Sequence, residues 1–189
     1  MSRVLITIAD PAEPSIRVLI DALDAYMIPL YPAESNHLLD IETLRQPQMR
    51  FFAAVVGAEV MGCGGCWLHA EYAEVKRVYV SPKARGLGLA KKLMQRIEDE
   101  ARAAGRFMTR LETGIHQPDA IGLYRALGYA ECGPFGNYAL DPPQRVHGES
   151  AGNGLALPPH KPLCLRKQAT RLTCGKRSGV PAFAGMTNC

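Results

Sequence analysis

The stretch VKRVYVSPKARGLGLAKKLMQRIEDEARAA, residues 75–104, predicts a strand, a glycine-rich turn and a helix in direct succession. Residues 75–80 carry apolar side chains at Val78 and Val80 with a β-branched bias, which is typical of a strand. Pro82 ends the strand, because proline lacks the N–H that a sheet ladder needs. The stretch therefore predicts a strand–turn–helix unit.

The helix of this unit is predicted from apolar residues that recur at spacings of three and four. Charged residues are predicted to lie on the opposite, solvent-facing side, and Gly105 follows the last apolar position, where helices commonly stop. The apolar positions are Leu89, Leu93, Ile97, Ala101 and Ala104, and the charged positions are Lys91, Lys92, Arg96, Glu98, Asp99 and Arg102.

The turn at residues 85–90 has the chemistry of an anion site. Gly86 and Gly88 let backbone N–H groups approach phosphate oxygens without a Cβ in the way. The first turn of a helix adds about four unpaired N–H groups and the positive end of the helix dipole. Arg85 adds positive charge, and Lys83 is a second candidate. Some turns of this kind serve packing only, so the turn alone leaves both interpretations open.

The residues after the turn narrow the choice of phosphate ligand. A P-loop would need Gly-Lys-Ser/Thr where this chain has Ala90-Lys91-Lys92, and the dinucleotide fingerprint would need a small residue at Lys91. The residues match R-x-x-G-x-A instead, which resembles the [Q/R]-x-x-G-x-[G/A] signature of the GNAT superfamily of acyl-CoA N-acyltransferases. The resemblance implies that the loop amides hold the coenzyme A pyrophosphate. The loop residues are Arg85, Gly86, Leu87, Gly88, Leu89 and Ala90.

A second segment resembles a second motif of the same family. Residues 117–129, QPDAIGLYRALGY, follow the pattern N-x-x-A-x-x-L-Y-x-x-x-G-F, with Gln117 where the family often has Asn. The resemblance covers about residues 50–140 and implies that Gln117 lies by the pantetheine arm. It also implies that Tyr124 lies near the coenzyme sulfur as general acid. The alternative is a core aromatic on an amphipathic helix, and the motif favours the acid role.

Acyl transfer to an amine needs a base for the amine proton, donors for the tetrahedral oxyanion and an acid for the leaving thiolate. The resemblance implies a bulge in the strand before the loop, which frees backbone N–H groups for the pantetheine and the thioester oxygen. These N–H groups would belong to Val78, Tyr79 and Val80.

Three carboxylates are candidates for the base. Glu74 is preferred because it lies on the strand before the loop, where several enzymes of the family carry a base. Glu71 and Glu112 are the alternatives, and Glu112 could instead bind a cationic acceptor. Taken singly, each is more typical of a solvated surface residue. His116 is a candidate proton relay, although a histidine in a surface loop is the more typical interpretation. Tyr31 and residues 135–138 are candidates to line the acceptor pocket and are equally consistent with packing.

The order of predicted elements is β-α-(α)-β-β-β-α-β-α-β. Gly57-Ala58 predicts a tight hairpin between two strands, and the strand at 107–113 should lie parallel to that at 72–80, because a helix connects them. Ser15 is a candidate cap for the first helix. The fold class is therefore α/β (α+β), a mixed, mostly antiparallel sheet with helices on both faces, as in the family that the chain resembles.

The composition changes after residue 141. Residues 142–160 are rich in Pro and Gly and predict an insertion, whereas residues 162–166 predict a final edge strand. These features predict one acyltransferase domain at residues 1–167. Residues 168–189 show no period and predict a disordered extension. Its SGVPAFAGMTN segment resembles the translated intergenic repeats that extend some bacterial reading frames.

The charge is divided unevenly along the chain. Residues 1–141 hold 15 Lys/Arg against 17 Asp/Glu, and residues 142–189 hold 7 against 1. The predicted domain is slightly acidic, which argues against a nucleic-acid partner. No apolar run approaches the ~20 residues of a membrane span, and no signal peptide is evident, so we expect a cytoplasmic protein without a membrane partner.

Cys63 and Cys66 form a lone C-x-x-C without the second pair that a zinc site needs. A spacing of three within a strand points them to opposite faces, so we expect reduced cysteines and no metal.

These features together predict an N-acetyltransferase that moves an acetyl group from acetyl-CoA to a primary amine by direct attack in a ternary complex. The acceptor, a small molecule or a peptide or protein amine, stays open. The oligomeric state stays open as well, although dimers are common in the family. Two alternatives are a non-catalytic acyl-CoA-binding regulatory module and a nucleotide-binding α/β protein, and Lys91 argues against the second.

Overall fold

The computed structural model describes residues 3–31, 39–133, 135 and 163–168. The predicted insertion and nearly all of the predicted extension lie outside these residues. None of the described helices is long and apolar enough to cross a bilayer. In chain order the elements are β1 (Val4–Ile8), α1 (Pro14–Met27), α2 (Ile41–Leu44), β2 (Met49–Val56), β3 (Glu59–Leu68), β4 (Ala73–Val80), a 3₁₀ turn (Pro82–Ala84), α3 (Leu89–Ala103), β5 (Met108–Thr113), α4 (Pro118–Ala126), β6 (Ala130–Glu131) and β7 (Leu163–Gln168).

The described strands form one mixed sheet in the order β1-β2-β3-β4-β5-β7-β6. Strands β4 and β5 are parallel, as predicted, and every other neighbouring pair is antiparallel. The β2–β3 hairpin turns at Gly57-Ala58, where Gly57 has a φ of +64° that favours glycine. The predicted fold class is confirmed.

Strand β7 corrects one prediction, because it is not an edge strand. It lies between β5 and β6 and pairs with β5 along its whole length, from Met108↔Gln168 to Thr113↔Leu163. Strand β6 has only 2 residues and could not pair with all 6 residues of β5. The longer C-terminal strand therefore takes the inner position, and β6 becomes the edge.

Two helix predictions were also wrong in detail. Helix α1 begins at Pro14, with Glu13 as the capping position, so Ser15 lies inside the helix. Proline at the first position sets this start, because its missing N–H has no partner there in any helix. In α3, Glu98 was predicted to face solvent but is buried. It lies one turn after the buried Met94 and pairs with Lys167 of β7.

The sheet carries a core on each face. We call the first the α3 face, since helices α3 and α4 cover it, and the second the α1 face, which α1 and α2 cover. Cys66 belongs to the α3-face core and Cys63 to the α1-face core, which confirms that the two thiols point apart. Burial raises the pKa of both thiols to about 12, so they stay protonated at neutral pH.

Strands β4 and β5 pair at only two positions, Ala73↔Thr109 and Glu74↔Arg110, and then separate. Just beyond, the register between β3 and β4 shifts, because Arg77 and Val78 together lie opposite Gly64. The predicted bulge in β4 is thereby confirmed, and it bends the strand. We call the space between the two strands beyond these pairs the β4–β5 gap. It opens toward the turn that precedes α3.

Candidate active site

The turn from β4 to α3 has a conformation that its glycines make possible. The 3₁₀ turn at Pro82–Ala84 leads into Gly86 at φ +79° and Gly88 at φ +70°. A Cβ at either glycine would meet no atom within 4 Å, so backbone conformation, not lack of space, favours glycine there. Gly88 caps α3 without a side-chain acceptor, which leaves the helix N-terminus open.

Six consecutive backbone N–H groups, those of residues 86–91, have no hydrogen-bond acceptor among the residues that the structure describes. The first bond of the helix is donated by Lys92 to the carbonyl oxygen of Gly88, at 3.1 Å. Lys83 and Arg85 are exposed beside these donors. Unpaired N–H groups, the positive end of a helix dipole and two cations together form a surface that favours a polyanion.

Residues 78–80, the predicted oxyanion donors, lead from the bulge to this turn. Their β3 side is occupied, since Tyr79 pairs with Cys63 and Val80 with Gly62. On the other side no strand pairs with them within the described ranges, because β5 has already turned away. This part of β4 therefore borders the β4–β5 gap and can offer backbone groups to a ligand there.

Tyr124 lies on α4 in the core of the α3 face. The structure gives its hydroxyl no hydrogen-bond partner among the described residues, and the fully enclosed polar atoms without a partner are Arg77 Nε and Glu98 Oε1. Tyr124 as a whole is buried, with 8% of its surface exposed. Burial raises the pKa of Tyr124 to about 12, so the hydroxyl holds its proton at neutral pH.

Gln117 occupies the turn between β5 and α4, where its amide bonds within the protein. Its Oε1 accepts from Thr113 Oγ1 at 3.1 Å and from the Gly114 N–H at 3.0 Å. Its Nε2 donates to the Met27 sulfur at 3.0 Å. The side chain thus closes the turn that begins α4, and its contact with a pantetheine arm stays a prediction.

The three candidate bases lie in different surroundings. Glu71 is exposed in the β3–β4 turn, and Glu112 is half-buried on β5. Glu74 is buried, with 7% of its surface exposed. Its Oε2 lies 3.1 Å from His69 Nε2, and its Oε1 lies 2.6 Å from Lys76 Nζ. Since its neighbours Ala73 and Val75 face the α3-face core, Glu74 projects from the α1 face.

An aromatic group lies on the same face next to Glu74. The rings of His69 and Tyr72 stack at 4.3 Å, and Phe135 meets Tyr72 edge-on at 5.7 Å. The guanidinium of Arg110 lies 4.9 Å from the Tyr72 ring centre and 5.3 Å from that of Phe135. Of these residues the sequence had singled out Phe135 alone. The alternation of β5 could have indicated Arg110, which shares a face with Glu112.

Arg77 fixes the bulge from the α1 face. It is the one non-glycine residue of the described chain with positive φ, at +57°. Its guanidinium is buried and pairs with Asp24 of α1, and it also donates to the carbonyl oxygen of Leu39. The bulge beside the β4–β5 gap is thereby connected to α1 and to the segment before α2.

Tyr31 and His116 meet at the end of β5. The hydroxyl of the buried Tyr31 accepts from the His116 N–H at 3.1 Å, and the two rings lie 5.7 Å apart. A Cβ at Gly114 would fall 1.8 Å from the Tyr31 hydroxyl, so glycine permits this contact. Tyr31 thus joins the end of α1 to β5, whereas Tyr138 lies outside the described residues.

Comparison with known proteins places this arrangement among acetyltransferases. The profile described as the acetyltransferase (GNAT) family matches residues 16–129. An IAA acetyltransferase of Azospirillum brasilense is 49% identical over 144 residues, which are 75% of this chain and 94% of that protein. A solved structure from Klebsiella pneumoniae, assigned as an acyl-CoA N-acyltransferase, is 31% identical with a TM-score of 0.68 and covers 88% of this chain and 98% of that one. A GNAT family acetyltransferase from Elizabethkingia anophelis with acetyl-CoA bound shares the fold, at 14% identity and a TM-score of 0.57, over 89% of this chain and 99% of its own.

Proposed function

The chain belongs to the acetyltransferase (GNAT) family and is a transferase enzyme, and on that premise we propose that it transfers the acetyl group of acetyl-CoA to a primary amine by direct attack in a ternary complex. One observation carries the proposal: the open backbone donors of residues 86–91 adjoin the β4–β5 gap. A ligand with a polyanionic end and a long neutral arm would fit a set of N–H donors next to a gap between strands, and coenzyme A has both parts.

The donor would be held mainly by backbone. Its diphosphate would accept from the N–H groups of residues 86–91, with Arg85 and Lys83 adding charge. Its pantetheine arm would enter the β4–β5 gap along residues 78–80, where the N–H groups on the gap side of the strand would bond to the arm and to the thioester oxygen. Acetyl-CoA bound to a neighbour of the same fold supports this choice of donor.

The reaction needs no covalent intermediate on the protein. The amine nitrogen attacks the thioester carbon, so the C–N bond forms and the carbonyl electrons move to oxygen. The C–S bond then breaks, and the leaving sulfur takes the proton of the Tyr124 hydroxyl. The proton that the amine loses passes to a carboxylate, and exchange with solvent restores both groups.

Glu74 is the carboxylate that we assign as base. It lies buried on the α1 face at the mouth of the β4–β5 gap, where its Oε1 pairs with Lys76 and its Oε2 faces His69. His69, 3.1 Å away and half-buried, offers a path for the proton to the surface. Glu112 remains the alternative, as base or as a contact for a cationic acceptor.

The extent of the domain and its location complete the proposal. We propose a single catalytic domain that ends near residue 167, because β7 completes the pairing of β5. We also propose a cytoplasmic location, which the sequence favours. Family membership favours neither the regulatory module nor the nucleotide-binding protein.

Thiol release from acetyl-CoA in the presence of an amine panel tests the proposal. Wild-type protein should release CoA with at least one amine, and Tyr124→Phe should lower kcat about 10- to 100-fold without changing the dissociation constant of acetyl-CoA. Because the pKa of Tyr124 is raised to about 12, its proton is still present at pH 10, so this group should cause no loss of kcat between pH 7 and 10.

Tyr129→Phe is the matched control, since Tyr129 lies in the same core but its hydroxyl bonds to Thr109 at 3.1 Å. It should lower stability and leave kcat nearly unchanged. Tight acetyl-CoA binding without release of thiol with any amine would contradict the proposed enzyme and favour the regulatory module. An unchanged kcat in Tyr124→Phe would remove that residue from the acid role.

A further inference from the structure

Arg110 lies beside the candidate base, and among the described residues its guanidinium has no anionic partner. Arg110 is half-buried on β5, where its Nε donates to the Met108 sulfur at 3.3 Å. Its planar group lies against the rings of Tyr72 and Phe135. In the part of the chain that the structure describes, no carboxylate forms an ion pair with it.

The neighbouring cations differ from Arg110 in this respect. Lys76 pairs with Glu74, and Arg77 pairs with Asp24. Glu112 lies two residues from Arg110 on the same face of β5, and the ion pairs among the described residues do not include one between these two side chains. Within the described residues the four terminal N–H groups of Arg110 have no acceptor, and only its Nε is bonded, so these groups can face a ligand. Lys76 and Arg77 are already neutralised.

Arg110 lies opposite the proposed base, Glu74, on the neighbouring strand. Arg110 and Glu74 are register partners at the point where β4 and β5 begin to separate. Register partners in a sheet project from the same face, about 5 Å apart between strands. A ligand whose amine lies at Glu74 therefore has its neighbouring atoms within reach of Arg110.

We propose that the acceptor is an amine that also carries a carboxylate, as an amino acid does, and that Arg110 binds this carboxylate. The inference rests on the proposed function. The rings of Tyr72 and Phe135 lie 4.9 Å and 5.3 Å from the guanidinium carbon and hold the group in place beside Glu74. A planar edge with parallel N–H groups matches the two oxygens of a carboxylate. The rings also restrict the side chain, so less conformational freedom is lost on binding.

Matched acceptor sets test this inference in the thiol-release assay. Each set contains an amino acid, its amide and the corresponding amine without the carboxyl group. Wild-type protein should favour the amino acid at least about 10-fold in kcat/KM. Arg110→Gln should remove this preference by raising KM for the amino acid about 10- to 100-fold, and should leave the amide and the simple amine unchanged.

Two further variants separate binding from folding. Arg110→Lys keeps the charge but loses the parallel N–H pair, so it should recover part of the preference. Arg17→Gln, an exposed arginine of α1, should behave as wild type. Thermal unfolding of every variant checks that the fold is intact, and acetyl-CoA calorimetry checks that the donor site is intact.

The outcomes distinguish this inference from the proposed function. Equal turnover of amino acids, amides and simple amines, or an equal loss for all three in Arg110→Gln, would overturn the carboxylate site and leave the acetyltransferase standing. If bound acetyl-CoA releases thiol with no acceptor of any class, both proposals are wrong.

Discussion

The two faces of the sheet contribute different kinds of groups to the candidate site. On the α3 face, the donor surface consists of backbone N–H groups from one continuous turn, residues 86–91. On the α1 face, the polar groups are side chains from separate segments of the chain. They are Asp24, His69, Glu74, Lys76, Arg77 and Arg110.

This difference explains what each face can do. A backbone site depends on conformation and tolerates many side chains, so it suits a ligand that many proteins share. A side-chain site depends on residue identity, and a single substitution changes its charge or shape. The donor would therefore be fixed by the fold, and the acceptor by the particular residues of this chain.

Breaking one buried ion pair on each face gives the largest expected effects. Asp24→Ala leaves the Arg77 guanidinium buried without its carboxylate, so we expect a loss of about 3 kcal/mol in the free energy of unfolding. Lys167→Ala leaves Glu98 unpaired on the α3 face, and we expect a loss of about 2 kcal/mol because Lys167 is partly exposed. Urea denaturation measures both losses.

Activity should separate the two variants. Arg77 fixes the bulge beside the β4–β5 gap, so Asp24→Ala should also lower kcat/KM for the acceptor under conditions where the protein is folded. Lys167→Ala should not. The double variant Asp24→Leu/Arg77→Met should regain stability without regaining activity. Equal losses of activity in Asp24→Ala and Lys167→Ala would mean that the two faces are not independent.

A substitution at Gly88 tests the backbone donors of residues 86–91. Gly88→Val places a β-branched residue at φ +70°, which costs about 1–2 kcal/mol or more and shifts the N–H groups at the start of α3. We expect the dissociation constant of acetyl-CoA to rise about 100-fold by calorimetry, since several of the bonds of the donor would be lost together.

Gly105→Val is the matched control for this substitution. Gly105 follows α3 at φ +77°, and a Cβ there also meets no atom within 4 Å. It should lower stability about as much as Gly88→Val and leave acetyl-CoA affinity unchanged. If both variants lose affinity alike, the effect of Gly88→Val is one of folding and not of the donor site.

The difference between a backbone site and a side-chain site also decides how much of the candidate site could be predicted from the sequence. The turn at 85–90 is continuous, and its glycines and helix pattern are visible in the residues themselves. The order of elements along the chain, the parallel β4–β5 pair and the hairpin at Gly57 followed from local patterns, the helical crossover and a two-residue turn. These are the parts that depend on neighbours in the chain.

What could not be predicted depends on contacts between distant segments. Glu98 was assigned to solvent because its partner, Lys167, lies 69 residues away in the sequence. The inner position of β7 follows from the short length of β6. Neither Arg110 nor Tyr72 belongs to a motif, and the register of β4 and β5 brings Arg110 to the candidate base.

The smallest effect is expected from the exposed cation of the donor turn. Arg85→Gln should raise the dissociation constant of acetyl-CoA only about 3- to 10-fold at low salt, because a charge contact at an exposed position is screened by solvent. The difference from wild type should shrink as the salt concentration rises above 0.15 M, where the screening length falls below about 8 Å. Arg102→Gln, exposed farther along α3, should match wild type at every salt concentration. If Arg85→Gln instead loses as much acetyl-CoA affinity as Gly88→Val, and the loss does not depend on salt, then the donor site consists of side chains, as the acceptor face does.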